Sequence, residues 1–274
     1  MSIRARGALE SFERLCSRLE TSNKVYFTRF GDGEIIAMMG KHHRNYRSSH
    51  AFVRELRESF VIDDPSYLIA LSVNMPLESG MTRGVFSPYR QNDNLASFIE
   101  NENLVSGDGI YESQIMFHYV AVFYPRLMFD FFEKHVRPRR KLFVGCTPQR
   151  VAEKLYGPID IYIPTPARHA FDSIGRWWNE VERGSAEVEL VIPSVGAASN
   201  VISKRLWHLD RPLHVLDIGS IIDAVEGRRS RTWIKHVGHR IQQVLRPEDR
   251  DRSIRFHIGA LVKDMRYKVR QLYR

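Results

Sequence analysis

Two carboxylates one residue apart, Asp32 and Glu34, stand directly after the run Lys24-Val25-Tyr26-Phe27-Thr28-Arg29-Phe30, with Gly31 and Gly33 on either side of the aspartate. Carboxylates at this spacing can face one hard divalent cation together. Such a site leaves coordination positions for water and for the oxygens of a substrate phosphate, which suits Mg²⁺ or Mn²⁺. The same residues also form a tight Asp-Gly turn in which Glu34 complements a helix N-terminus. Spacing alone leaves both readings open. Arg29 carries a similar pair of readings, as a phosphate contact or as the ion-pair partner of a neighbouring acid.

These residues need a strand to hold them, and Lys24 to Phe30 supplies one, rich in β-branched and aromatic side chains and broken by the glycines that follow. The segment from Ala8 to Leu19 reads as an amphipathic helix ahead of it, and Ile35 to Met39 as a short helix behind the acidic loop. Ser48 or Ser49 caps a helix carrying Phe52, Leu56 and Phe60. Tyr67 to Ser72 is a second strand, and Leu95 to Arg126 reads as helices interrupted near Ser106 to Gly109. Further on, strands at Lys141–Gly145, Ile159–Ile163, Val188–Ile192 and Leu213–Ile218 alternate with helices at Pro148–Leu155, Ala167–Val181 and Ala197–Leu206, with Thr147 as an N-cap. The expected fold is α/β and Rossmann-like, a mostly parallel sheet flanked by helices. It spans residues 1–227, followed by a basic helical extension over 228–274 packed on the same domain.

Ligands of an open parallel sheet bind beyond the carboxyl ends of its strands. The residues there are small or polar: Gly31, Asp32, Gly33 and Glu34; Gly145 to Pro148; Pro164, Thr165 and Pro166; Ser194, Gly196 and Asn200; Asp217, Gly219 and Ser220. Helix N-termini beside small residues can hold phosphate oxygens, so this edge suits a nucleotide or diphosphate. Asp217 and Asp223 either bind a ligand hydroxyl or cation, or cap and terminate elements.

Composition narrows the field. The 274 residues are 43% hydrophobic with a formal charge of +9, which is enough for a sizeable core and favours anionic partners. Two cysteines, Cys16 and Cys146, exclude a disulfide framework and thiolate metal centres and match a cytoplasmic setting. The sequence contains no apolar run of about 20 residues such as a spanning helix requires. The final stretch from Ile254 to Tyr273 alternates apolar residues with Lys and Arg; it either docks as a helix or meets the anionic inner face of a membrane. Pro193 to Asn200 lacks the lysine and spacing of a Walker loop, and no Gly-x-Ser-x-Gly elbow occurs. His169 is the one histidine noted near a strand tip.

The segment Arg29-Phe30-Gly31-Asp32-Gly33-Glu34 resembles the Arg-Phe-Gly-Asp-Gly-Glu motif of the GT-D-type glycosyltransferases, a family first catalogued as a domain of unknown function. Leu142 to Trp177 and Leu190 to Asp223 are similar to two further blocks of that family. The resemblance implies a metal-dependent transferase that moves a sugar from a nucleotide donor, UDP-hexose foremost, to a glycan or lipid-linked acceptor in polysaccharide biosynthesis. It makes Asp32 and Glu34 the pair that holds Mn²⁺ or Mg²⁺. Their shared place at the strand-tip edge puts Arg29, Gly31, Gly145, Thr165, Ser194, Gly196 and Asn200 around the donor, and makes Asp217 and Asp223 candidates for the base. Two departures stand out. Only Gly145 and Arg150 compare with the family's Gly-Glu-x-x-Arg-like segment, and its Asp-Ile-Gly-His is here Asp217-Ile218-Gly219-Ser220. Two other readings compete. The late Val215-Leu216-Asp217-Ile218-Gly219 resembles the first motif of class I methyltransferases and predicts S-adenosylmethionine binding, while charge and the Arg-rich tail predict nucleic-acid binding that falls steeply with salt.

Overall fold

The computed structural model describes residues 3–42, 46–78, 85–86, 93–228, 230–231 and 233–250. Its eight strands are β1 (Arg4–Ala5), β2 (Val25–Arg29), β3 (Tyr67–Leu71), β4 (Ile110–Ser113), β5 (Lys141–Gly145), β6 (Ile161–Pro164), β7 (Leu190–Ser194) and β8 (His214–Leu216). They form one sheet in the order β1-β4-β3-β2-β8-β7-β5-β6, and every pairing is parallel. The expected α/β, Rossmann-like architecture is the one found.

A parallel strand covered on both faces is apolar throughout, and β2 shows why. Val25 and Phe27 enter one hydrophobic cluster while Tyr26 and Phe30 enter the other. The first cluster holds α1 (Ala8–Thr21), α5 (Met116–Phe123), α6 (Pro125–Phe131), α7 (Gln149–Tyr156) and α10 (Ile221–Glu226). The second holds α2 (Asp32–Met38), α3 (His50–Phe60), α4 (Asp93–Asn101), α8 (Ile174–Gly184) and α9 (Ala198–His208). The result is a helix–sheet–helix sandwich. α1 follows from its own spacing, since Phe12, Leu15 and Leu19 share a face and are buried. Each large apolar side chain so placed contributes about 1.5–3 kcal/mol. Ser49 caps α3 by accepting the Phe52 N–H at 3.2 Å.

Several expectations need correction. Leu95 to Arg126 is not helical throughout: Ile110–Ser113 is strand β4, whose Ala70↔Glu112 register docks it on β3. Strands this short carry little periodicity to recognise. β1 has only two residues, and sequence reading missed it for the same reason. The helix expected over Ala167–Val181 is broken, because His169 is left-handed at φ +56° and a 3₁₀ turn, Ala170–Ser173, precedes α8. Thr147 does not cap α7. Pro148 occupies that position, and the Thr147 hydroxyl instead accepts from Arg228 at 2.9 Å. α2 begins at Asp32 itself, so the two carboxylates sit in the first turn of the helix rather than in a loop before it.

Beyond Gly227, α11 (Ile234–Val237) and a 3₁₀ stretch, Gly238–Val244, pack into the first cluster through Trp233, Ile234, Val237, Ile241, Val244 and Leu245. The expected helix over Ile254 to Tyr273 lies outside the described residues.

The order of the sheet opens its own crevice. β2 feeds α2 on one face, and β8, its neighbour, feeds α10 on the opposite face. Outgoing chains that part in this way leave a gap above the strand tips.

Candidate functional site at the β2 and β8 tips

Arg29 is the last residue of β2, and its Nη2 lies 3.1 Å from Oδ1 of Asp217, just beyond β8. Both side chains are largely buried, at 13% and 9% exposure. Burial raises the Asp217 carboxyl above its ordinary range, and the Arg29 guanidinium opposes that rise. Gly219 makes the pairing possible. It is left-handed at φ +73°, and a Cβ there would lie 2.0 Å from Arg29 Nη2. The guanidinium therefore fills the space a side chain at 219 would need.

Next to Arg29, Glu34 accepts the Gly31 N–H at 2.9 Å, closing the first turn of α2 as the glutamate of a capping box does. Its carboxyl is pushed up by burial, with the nearby Asp217 charge adding to the effect. A Cβ on Gly31 would meet Gln114 Nε2 at 2.9 Å, and one on Gly33 would meet the Tyr46 hydroxyl at 2.2 Å. The acidic turn is thus packed under two polar side chains that a larger residue would displace. Tyr46 also lines a small cleft with Phe52, His169, Phe171 and Val195. Burial and the charges of Glu34 and Asp32 raise the Tyr46 phenol, and Arg231 opposes them.

The remaining sequence-selected residues fall into separate groups. Asn200 joins the β2 tip directly, since its Nδ2 donates to the Arg29 carbonyl at 3.2 Å. Gly145 and Ser194 are register partners at the ends of β5 and β7, and a Cβ at 145 would lie 3.1 Å from the Ser194 carbonyl. The Thr165 N–H donates to the Gly145 carbonyl at 3.2 Å. Gly196, at φ +61°, faces open space in the turn before α9. Asp223 points elsewhere: it pairs with Arg228 at 2.9 Å and accepts from the Ser230 hydroxyl.

Tyr46 and Gln114 were not singled out from the sequence, nor were three further residues at the site. His118, on α5, places Nε2 3.5 Å from Arg29 Nη1 and 3.3 Å from Ser220 Oγ. Trp233 stacks on the His118 ring, centroids 4.6 Å apart, and donates Nε1–H to Ser220 Oγ at 3.1 Å. Arg231 exerts its charge on both His118 and Tyr46. A signal for His118 was available: it is the one imidazole in the largely apolar helix Met116-Phe117-His118-Tyr119-Val120-Ala121-Val122-Phe123.

Among the described residues no group of three or more His, Cys, Asp or Glu side chains could hold a metal ion by itself. No protein-family model matches the sequence, and no curated protein matches it. Solved structures do. One, described as a new glycosyltransferase (DUF1792) from Streptococcus sanguinis, aligns with a TM-score of 0.63 at 18% identity, over 94% of this chain and 97% of its own. The chain has the DUF1792 fold.

A second structure, of domain of unknown function 1792 with selenomethionine, aligns at 20% identity with a TM-score of 0.59, over 82% of this chain and 81% of the other. A third, described as showing that the highly conserved domain has a distinct glycosyltransferase fold, aligns at 19% identity with a TM-score of 0.58 over the same shares. The DUF1792 fold is thus reached by two routes, the Arg29 to Glu34 motif and the path of the backbone.

Proposed function

We propose that this protein is a glycosyltransferase that takes a sugar from a nucleotide donor, UDP-hexose first among them, and passes it to a glycan or lipid-linked acceptor. The observation that carries the reading is the Arg29–Asp217 pair beside Asp32 and Glu34 at the β2–β8 crevice of a DUF1792 fold. Transfer of a glycosyl group leaves negative charge on the departing nucleoside diphosphate. A site that accelerates the reaction must meet that charge with fixed positive groups. Arg29 is such a group, held by Asp217 on one side and with little room to move above Gly219.

Asp32 and Glu34 suit a hard cation, since both offer carboxylate oxygens and the half-buried Glu34 lies near a second acid, Asp217. With so few protein donors, such a cation would complete its shell from water and phosphate. Bound there, Mn²⁺ or Mg²⁺ would supply Lewis-acid stabilisation of the diphosphate. Asp217 and Asp223 have the work of holding Arg29 and Arg228 in place.

No helix among the described residues is long and apolar enough to cross a membrane. A peripheral approach to a lipid-linked acceptor at the inner membrane face would use the basic end of the chain. The test is a panel of nucleotide sugars with Mn²⁺ or with chelator, read as nucleotide release and donor binding, with S-adenosylmethionine and single-stranded DNA included. Metal-dependent release from one donor is expected. Unchanged donor binding and turnover in Asp32→Asn and Glu34→Gln, or binding of S-adenosylmethionine without metal dependence, would overturn the reading.

A further inference from the structure

An arginine side chain only donates hydrogen bonds, so Arg29 Nη1, 3.5 Å from His118 Nε2, calls for that nitrogen to be an acceptor. A second donor reaches the same nitrogen, the Ser220 hydroxyl at 3.3 Å. Ser220 is free to donate there because its oxygen accepts the Trp233 indole N–H at 3.1 Å. The polarity is consistent from end to end: indole to serine, serine to imidazole, guanidinium to the same imidazole. It closes when His118 is neutral with its proton on Nδ1. Burial and the charges of Arg29 and Arg231 hold His118 well below its ordinary value, which favours the neutral ring. The indole lies nearly parallel to that ring, at 18°, and fixes its plane.

Trp233 is 1% exposed and comes from the segment after α10. That segment is anchored some distance away. Arg240 donates to the Val122 carbonyl on α5, Arg137 donates to the Val244 carbonyl, and Arg246 pairs with Glu133 at 2.7 Å. The position of Trp233 is therefore set by the helical layer around α5 and α6, and the indole transmits it inward.

We propose that His118, Ser220 and Trp233 are positioning residues that fix Arg29 at the β2 tip, so that the segment following α10 completes the phosphate-binding site. The proposal relies on the glycosyltransferase reading for what Arg29 binds; the relay itself stands on the hydrogen bonds. A purely structural role for these side chains would show as lost stability without any dependence on Arg29.

The experiment uses the full chain and UDP with Mn²⁺ as probe. His118→Leu removes the acceptor and should weaken UDP binding about tenfold, the scale on which partners that orient a binding group act. His118→Gln keeps an acceptor and should restore part of it. In an Arg29→Gln background, His118→Leu should cost nothing further, because a residue that acts through Arg29 has nothing left to act on. Nitrogen NMR of the histidine rings should show His118 neutral with its proton on Nδ1. Trp233→Phe, which keeps the stack and deletes the indole N–H, should shift the Nε2 signal. An equal cost of His118→Leu in both backgrounds overturns the relay, as does a proton on Nε2 or an Nε2 signal indifferent to Trp233→Phe and Arg29→Gln. A parent chain that binds no nucleotide defeats the glycosyltransferase reading instead, and the NMR measurements on that same chain still decide the relay.

Discussion

Arg29 Nη2 and Asp217 Oδ1 meet at 3.1 Å across 188 positions of sequence. Parallel pairing of β2 with β8, with Phe27 opposite Leu216, brings them together, and the left-handed Gly219 leaves the space in which they meet.

That space gives a first prediction. Gly219→Ala puts a Cβ 2.0 Å from Arg29 Nη2 and an L side chain at φ +73°. Backbone strain of this kind costs about 1–3 kcal/mol. The larger expected effect is on ligand affinity, because the guanidinium must leave its place beside Asp217. Calorimetric UDP binding should fall by more than the thermal melt would suggest; normal binding in a destabilised variant would separate Gly219 from the site.

The acidic turn separates charge from capping. Glu34→Gln retains an acceptor for the Gly31 N–H, whereas Glu34→Ala removes it. Glu34→Ala should therefore be less stable than Glu34→Gln by about 0.5–2 kcal/mol in denaturant titration. Both should lose metal-dependent turnover alike, if the charge serves the cation. Asp32→Asn should lose turnover without that difference in stability.

Gly33 and Tyr46 should behave as a coupled pair. The Tyr46 hydroxyl would lie 2.2 Å from a Cβ at 33, but the next ring atom would be 3.4 Å away. Removing the hydroxyl relieves the clash. Gly33→Ala alone should destabilise by about 1–3 kcal/mol, the cost of overpacking. In a Tyr46→Phe background that cost should largely vanish, and additive costs in the double mutant would show that Tyr46 does not cover the turn.

Stability should fall in mild acid. His214, 6% exposed on β8, has its imidazole pushed down to about 4 by burial, with Arg139 and His135 adding to the effect. The unfolded chain then binds a proton that the folded chain refuses between pH 6.5 and pH 4. Stability declines as pH drops through that window and levels off below it. The loss amounts to roughly 3 kcal/mol, taking 1.36 kcal/mol per unit. His214→Asn should make this part of the curve shallower in urea titrations at stepped pH, while the contributions of His118 and His135, which are held down in the same way, and of carboxylates at lower pH remain.

The amino-acid sequence by itself determined the α/β class, the strands β2, β3, β5, β6, β7 and β8 to within a few residues, and the place of the acidic pair after β2. These are local properties. A strand buried on both faces must be apolar throughout, a helix with one buried face must repeat, and a strand tip that turns tightly needs glycine. The motif from Arg29 to Glu34 is contiguous, so its resemblance could be read without knowing what lies opposite it. β4 was not legible, because four residues held between β1 and β3 owe their state to those neighbours rather than to their own pattern.

Tertiary structure alone decided which strand tips share a crevice. Strand order is set by which helices leave on which face, and no local signal records it. β8, the last strand in sequence, lies against β2, and so Asp217 serves Arg29, while Asp223, six residues later, turns away to Arg228. The same holds for His118 and Trp233. Nothing in the sequence around either one points to Arg29, and only packing of α5 against the segment after α10 stacks the two rings and aims them, through Ser220, at the arginine of the opening motif.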